Sequence, residues 1–254
     1  MEFLGVKEGI RMKPLTAKAK NVRQMVAIAL FAALSYAALF IIIPVGPMFV
    51  HAGNMIAVVA ALLLGGWQGS LAGALGMGLW DLLNGHADSA PKTLVLKFLI
   101  GLTVGLVYHW LAKRGKSPKG LLAAVCAGFL SLSAGVLLYS FCRWHSFSLK
   151  IILLASAMGA IGLLLLVLLI FGRKLSISAV SAIVAAGCGM GVNLAGETLY
   201  KLVYYLLMGS HFSAALNLAV AAQASTLINV VIAVGGGVAL FLPLQRPFQR
   251  ILGQ

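Results

Sequence analysis

Long uncharged apolar runs dominate this chain and leave it few ways to fold. In hydrocarbon every backbone N–H and C=O must be paired within the protein, so a run of about 20 apolar residues is most stable as a spanning helix. The runs fall at roughly 22–44, 52–67, 69–84, 92–112, 120–142, 148–171, 177–208 and 214–243. They predict an all-α, polytopic membrane helix bundle of about eight transmembrane helices. The second and third runs are short and separated only by "GWQG" (Gly66–Gly69). Composition agrees: 61% of residues are hydrophobic and 9% charged, where a soluble domain carries about 25% charged residues.

The basic residues orient the bundle. Lys7, Arg11, Lys13, Lys18, Lys20, Arg23, Lys113, Arg114, Lys116, Lys119, Arg173, Lys174, Arg246 and Arg250 fall on one side of the expected spans. Only Lys92, Arg143 and Lys150 fall on the other, while Lys97 and Lys201 lie within spans. The positive-inside bias then predicts N-in, C-in topology. It also accounts for the net charge of +14 as attraction to an anionic inner leaflet and not to nucleic acid. The expected organisation is a cytoplasmic basic N-terminal segment, 1–21, followed by a single transmembrane domain, 22–250. The N-terminal segment lacks an apolar h-region before a small-residue site, so no cleaved signal peptide is expected. Cys126, Cys142 and Cys188 stand singly, so neither a disulfide framework nor a zinc site is expected.

Polar residues inside spans converge on one depth. "GLWDLLNGHADSAPKTLVLKF" (Gly78–Phe98) carries Asp81, Asn84 and His86 at the outer end of the third run, and Lys97 on the fourth. At 1.5 Å per residue, Lys97 lies roughly 9 Å below Pro91. Asn193, Glu197 and Lys201 recur at i, i+4, i+8 on one face of the seventh run,. Gln223 follows on the eighth, with Thr226 and Asn229. An ionised group in hydrocarbon costs about 2.5–3.5 kcal/mol on insertion scales, so such residues read first as a functional site. Structural ion pairs, Asp81 with Lys97 and Glu197 with Lys201, are the plainer reading of each pair taken alone. The ligand-binding candidates are therefore Asp81, Asn84, His86, Lys97, Asn193, Glu197, Lys201 and Gln223, with Trp80 or Tyr204 available to stack on a ring. His51, His86, His145 and His211 lie near outer loops without metal-ligand spacing,.

Small residues repeat every four positions in two places. Ala29, Ala33 and Ala37 mark one face of the first span, and Gly65, Gly69 and Gly73 one face of the second and third. Such faces let helices approach closely in lipid. Internal packing is the expectation for the glycines; the alanines suit internal packing or docking of another subunit. The chain has no GxxxxGK[ST], no HExxH and no GxSxG, so ATP hydrolysis, zinc-protease and serine-hydrolase chemistry are not expected. No catalytic residue, cofactor or metal is expected.

The run from His51 to Leu106 resembles the substrate-specific S components of energy-coupling factor (ECF) vitamin transporters. Its glycine-rich segment ends in "DL..G" (Asp81, Leu82, Gly85). A "P.T" helix start (Pro91, Thr93) and a lysine before glycine (Lys97, Gly101) follow. Ala29, Ala33 and Ala37 match the family's docking face for the membrane coupling subunit, and residues 217–245 are similar to its last helix. The resemblance implies a non-enzymatic binding subunit in a bacterial plasma membrane. It would capture a vitamin or precursor outside and deliver it inward with a coupling subunit and two ATPases. It also implies a six-helix core (22–112 and 177–250), with 120–171 as an added helix pair. The identity of the vitamin does not follow from these residues. An alternative is an autonomous proton-coupled secondary transporter with Asp81 and Glu197 as coupling carboxylates; a membrane enzyme or assembly factor is a third reading.

Overall fold

The computed structural model describes residues 17–45, 48–115, 119–144 and 176–252, with single positions at 155, 159, 162, 163 and 166. Lys7, Arg11, Lys13, Lys116, His145, Lys150, Arg173, Lys174 and most of the expected 148–171 span lie outside the described residues. Within them the chain forms an all-α membrane bundle. Helix α1 spans Ala17–Ala37, α2 Gly53–Leu64, α3 Gly66–Leu83, α4 Ala90–Arg114, α5 Lys119–Trp144, α6 Ile177–Leu207, α7 Phe212–Ala221 and α8 Gln223–Leu252. Among the described residues, α4, α6 and the α7–α8 stretch are long and apolar enough to cross a membrane.

Three boundaries differ from the sequence expectation. The first helix stops at Ala37, and the rest of its run becomes an antiparallel hairpin, β1 (Ile42–Val45) and β2 (Met48–His51), with Ile42 opposite His51. β-Branched Ile41–Ile43 and Pro44 favour strand over helix here. The second run yields only the 12 residues of α2, about 18 Å of helix against a hydrocarbon core of roughly 30 Å. The last run breaks at Ala222 into α7 and α8, and α8 continues through Pro243 and Pro247 to Leu252. Polar side chains cover carbonyls near the break: Gln223 donates to the Ala219 carbonyl (3.2 Å) and Ser225 to that of Ala222 (3.3 Å), as broken helices in membranes require.

Small residues set the packing. Gly65 has φ 92° and ψ 172°, a conformation essentially reserved for glycine, and this one residue joins α2 to α3. Gly69 then lies directly on the backbone of Ala61, and Gly105 on that of Gly66, leaving no room for a methyl group. The glycine face is thus internal packing, which draws α2, α3 and α4 together. Helix α2 is buried over ten of its residues, Gly53, Asn54 and Ala57–Leu64. It packs against α1, α3, α4, α6 and α8. Helix α6 packs on α4 and α8, and Ile100, Val104, Ala182, Ala185, Met190 and Phe241 fill the space between them. Helix α5 touches this body only lightly, at α6; its Cys126 thiol donates to the Gly162 carbonyl (3.1 Å) in the segment expected to pair with it.

At the end bearing Lys113, Arg114, Arg246 and Arg250, three side chains close a ring. Tyr108 donates to Ser178 Oγ (2.9 Å), Ser178 to Gln245 Oε1 (2.9 Å), and Gln245 Nε2 back to Tyr108 (3.1 Å). Each hydroxyl gives one bond and takes one, so α4, α6 and α8 are tied by a closed polar ring. Nearby, Arg23 donates to the Ile251 carbonyl (2.6 Å), adding α1.

Candidate functional site

The opposite end of the bundle opens into a cavity of about 380 Å³. Among the described residues its walls come from five places, one of them the loop between α3 and α4 with His86, Asp88 and Ser89. The last turns of α3 supply Met77, Trp80 and Asp81; the first turns of α4 supply Lys92, Thr93 and Lys97; α6 supplies Glu197, Tyr200 and Lys201; and the hairpin supplies Ile42 and His51. Pro91 sits in the first turn of α4, where its missing N–H has no intrahelical partner to lose. Thr93 and Lys97, four residues apart, share a face directed at α3 and α6.

The charges are held by specific partners. Lys92 Nζ contacts both oxygens of Glu197, at 3.0 and 3.2 Å, and lies 4.9 Å from the centre of the Tyr200 ring. Lys97, 6% exposed, donates to Asn193 Oδ1 at 2.9 Å. Thr93 Oγ1 donates to Asp81. The Glu197 carboxylate also lies within electrostatic reach of Lys97 and Lys201. This differs from the pairing that spacing suggested. Glu197 takes a lysine from another helix as a contact partner, and Asp81 accepts from a neutral hydroxyl, with Lys97 in electrostatic reach of both carboxylates.

His51 ends β2, outside the helical spans. Its backbone N–H donates to Asn229 Oδ1 (3.0 Å), and its Nδ1 accepts from the Gly53 N–H (3.2 Å). Burial, and then the positive charge of Lys97, push its pKa down from 6.5 to about 4. The ring is neutral at pH 7, and with Nδ1 accepting, its proton sits on Nε2.

Of the residues singled out from the sequence, Asp81, His86, Lys97, Glu197 and Lys201 line the cavity. Asn193 is buried behind Lys97 and holds its ammonium. Asn84 does not line it; its amide donates to the Trp80 carbonyl (2.9 Å). Gln223 does not either, being used at the α7–α8 break. Trp80 stacks on His86, with centroids 5.4 Å apart and planes at 16°, and Tyr204 stacks with Tyr200 at 6.3 Å and 22°. The sequence alone did not mark Lys92, which counts there among the outer basic residues, nor Thr93, His51 or Tyr200, as site residues. The i, i+4 relation of Thr93 to Lys97 was the available signal for Thr93. Among the described residues no three His, Cys, Asp or Glu side chains converge as a metal site.

On α1, Ala29, Ala33 and Ala37 are all exposed, flanked by exposed Met25, Val26, Leu30 and Leu34. Ala32, on another face, meets α3 at Gly76.

A family model described as "ECF-type riboflavin transporter, S component" matches residues 19–172. That stretch holds α2 to α5 and all but the first two residues of α1, including Asp81, Lys92 and Lys97, and ends before α6. Neither a curated protein nor a solved structure matches the chain.

Proposed function

Because this chain belongs to the family of ECF-type riboflavin transporter S components, we propose that its cavity captures a vitamin or vitamin precursor for import. The observation that carries this reading is the cavity itself: buried ionic and aromatic side chains gathered at one end of an otherwise apolar bundle. Sites of this kind are concave, largely preformed and furnished with a few converging polar groups. Asp81, His86, Lys92, Lys97, Glu197 and Lys201 contact the ligand, Asn193 positions Lys97, and Asn84 and Gln223 serve the scaffold.

In this reading the chain sits N-in, C-in in a bacterial plasma membrane. The cavity faces outward, and the end with Lys113, Arg114, Arg246 and Arg250 faces the cytoplasm. The exposed Ala29, Ala33 and Ala37 face docks a transmembrane coupling subunit, and two ATPase partners supply the hydrolysis for which this chain has no phosphate-binding loop. Residues 22–112 and 177–250 form the substrate-binding core, and 120–171 is an added pair. The family match runs through that pair; the reason to set it apart is the light packing of α5 against the rest.

The test is twofold. Protein purified in mild detergent should release a vitamin-sized molecule on denaturation, identified by mass spectrometry. Reconstituted with the coupling subunit and ATPases, it should import that molecule only with ATP. Uptake driven by a proton gradient without ATPases would favour the secondary-transporter reading. Replacing Ala33 with Leu should abolish ATP-driven uptake while leaving ligand binding unchanged; loss of both would argue against α1 as a docking face.

A further inference from the structure

The cavity wall is unevenly furnished. Among the described residues three lysines line it, Lys92, Lys97 and Lys201, against two inward carboxylates, Asp81 and Glu197. Asp88, the third carboxylate of the lining, is exposed on the rim, where water and salt screen it. His51 adds no charge at neutral pH. The inner part of the site therefore carries one more positive charge than negative.

The hydrogen-bond inventory points the same way. Both Glu197 oxygens are taken by Lys92, and Asp81 accepts from Thr93. Asp81 keeps its other oxygen as an acceptor, but the groups deeper in the site hold donor capacity. Lys97 has an ammonium with three N–H bonds, of which Asn193 takes one,. His51 has its Nε2–H, since Nδ1 is already accepting from Gly53. The indole N–H of Trp80 is buried with no hydrogen-bond partner among the described residues. A ligand that fills the cavity expels water from these groups, and a buried charge or donor left without a partner is costly.

Resting on the capture reading above, we propose that the ligand is an organic monoanion whose carboxylate docks against Lys97 and the Nε2–H of His51. One negative charge balances the site. An uncharged molecule such as riboflavin leaves the surplus positive charge unbalanced, and a dianionic phosphate ester overshoots. Lys97 is then the specificity-determining residue.

The experiment uses matched pairs that differ in charge and little else: nicotinate and nicotinamide, pantothenate and panthenol, biotin and its methyl ester, a carboxymethyl flavin and riboflavin. Affinities are measured by calorimetry on the detergent-solubilised full chain after removal of co-purified ligand. In whichever pair binds, the acid should bind at least about tenfold more tightly than its neutral partner. Lys97→Gln should erase that preference and Lys97→Arg retain most of it. The wild-type comparison stands alone if either variant fails to fold. A neutral partner that binds as tightly as its acid overturns the monoanion proposal and leaves vitamin capture standing. No binding by any compound overturns both.

Discussion

At the end of the bundle that carries Arg246 and Arg250, Tyr108, Ser178 and Gln245 join α4, α6 and α8 in a ring in which every hydroxyl is both donor and acceptor. At the other end the same α4 and α6 meet through Lys92, Lys97, Asn193 and Glu197, beside a cavity and with donors in reserve. The two ends use polar groups of different kinds for different ends. Neutral groups that bond to one another in a closed ring fasten helices and carry no charge to hold a ligand. Charged groups that are only partly satisfied hold their geometry but retain capacity, because three ammoniums share few carboxylates.

The largest effect that would break this comparison is at Glu197. Changing it to Gln leaves Lys92 without its ion-pair partner and removes the one carboxylate within reach of all three lysines. Losing one partner of this partly buried pair should cost about 1–3 kcal/mol, short of the figure for a fully buried one. The Glu197→Gln protein should melt at a clearly lower temperature in detergent and lose high-affinity ligand binding. An unchanged melting temperature would show that the cavity end, like the ring, does not depend on its charges for stability.

A second effect concerns pH. The His51 pKa lies below that of an unfolded histidine, at about 4 against 6.5. The unfolded chain therefore takes up a proton more readily, and protonation opposes the folded state. The stability linked to His51 is complete above pH 6.5 and is lost as pH falls toward 4. Thermal unfolding between pH 7 and pH 4 should fall less steeply for His51→Asn than for the wild type. Between pH 7 and pH 8 the two slopes should coincide, and a wild-type slope matched by the variant throughout would disprove the assignment.

The smallest effect belongs to the ring. Gln245→Leu leaves the Tyr108–Ser178 bond in place and removes an amide that spans two partners. A cost of about 1 kcal/mol is expected, with ligand affinity unchanged. An affinity change of more than about tenfold, roughly 1.4 kcal/mol, would mean that the ring is coupled to the cavity and is more than a fastening.

Much of this organisation was legible in the amino-acid order, and the exceptions share causes. Run length and charge were enough for the membrane bundle, because lipid allows so few alternatives. The Asn193, Glu197, Lys201 face was legible because helical spacing alone puts those residues in register. Lys92 was not, because at the first residue of its run it counts with the outer basic residues, and no spacing rule pairs it with Glu197, 105 positions away. The hairpin at 42–51 was hidden by its own apolarity, since a β-branched apolar run continues a span as readily as it ends one. The break at Ala222 has no glycine or proline to announce it. The ring joins residues 70 and 137 positions apart, and each lies near a basic segment where a polar side chain looks merely solvated.

The buried helix α2 also sets the order in which the molecule can be completed. Its neighbours α1, α3 and α4 are made early, but one side of it is covered by α8, where Gly236 and Gly237 lie against Met55 and Val58. Nearly the whole chain must be synthesised before that side is sealed. During those seconds α2, too short to span by itself, rests on α3 through the Gly65 joint, with its unsealed side facing lipid or the insertion machinery. Chains are made N-terminus first, so a product cut short before α8 would keep the α3–α4 half of its ligand site and still lack its central helix's last wall.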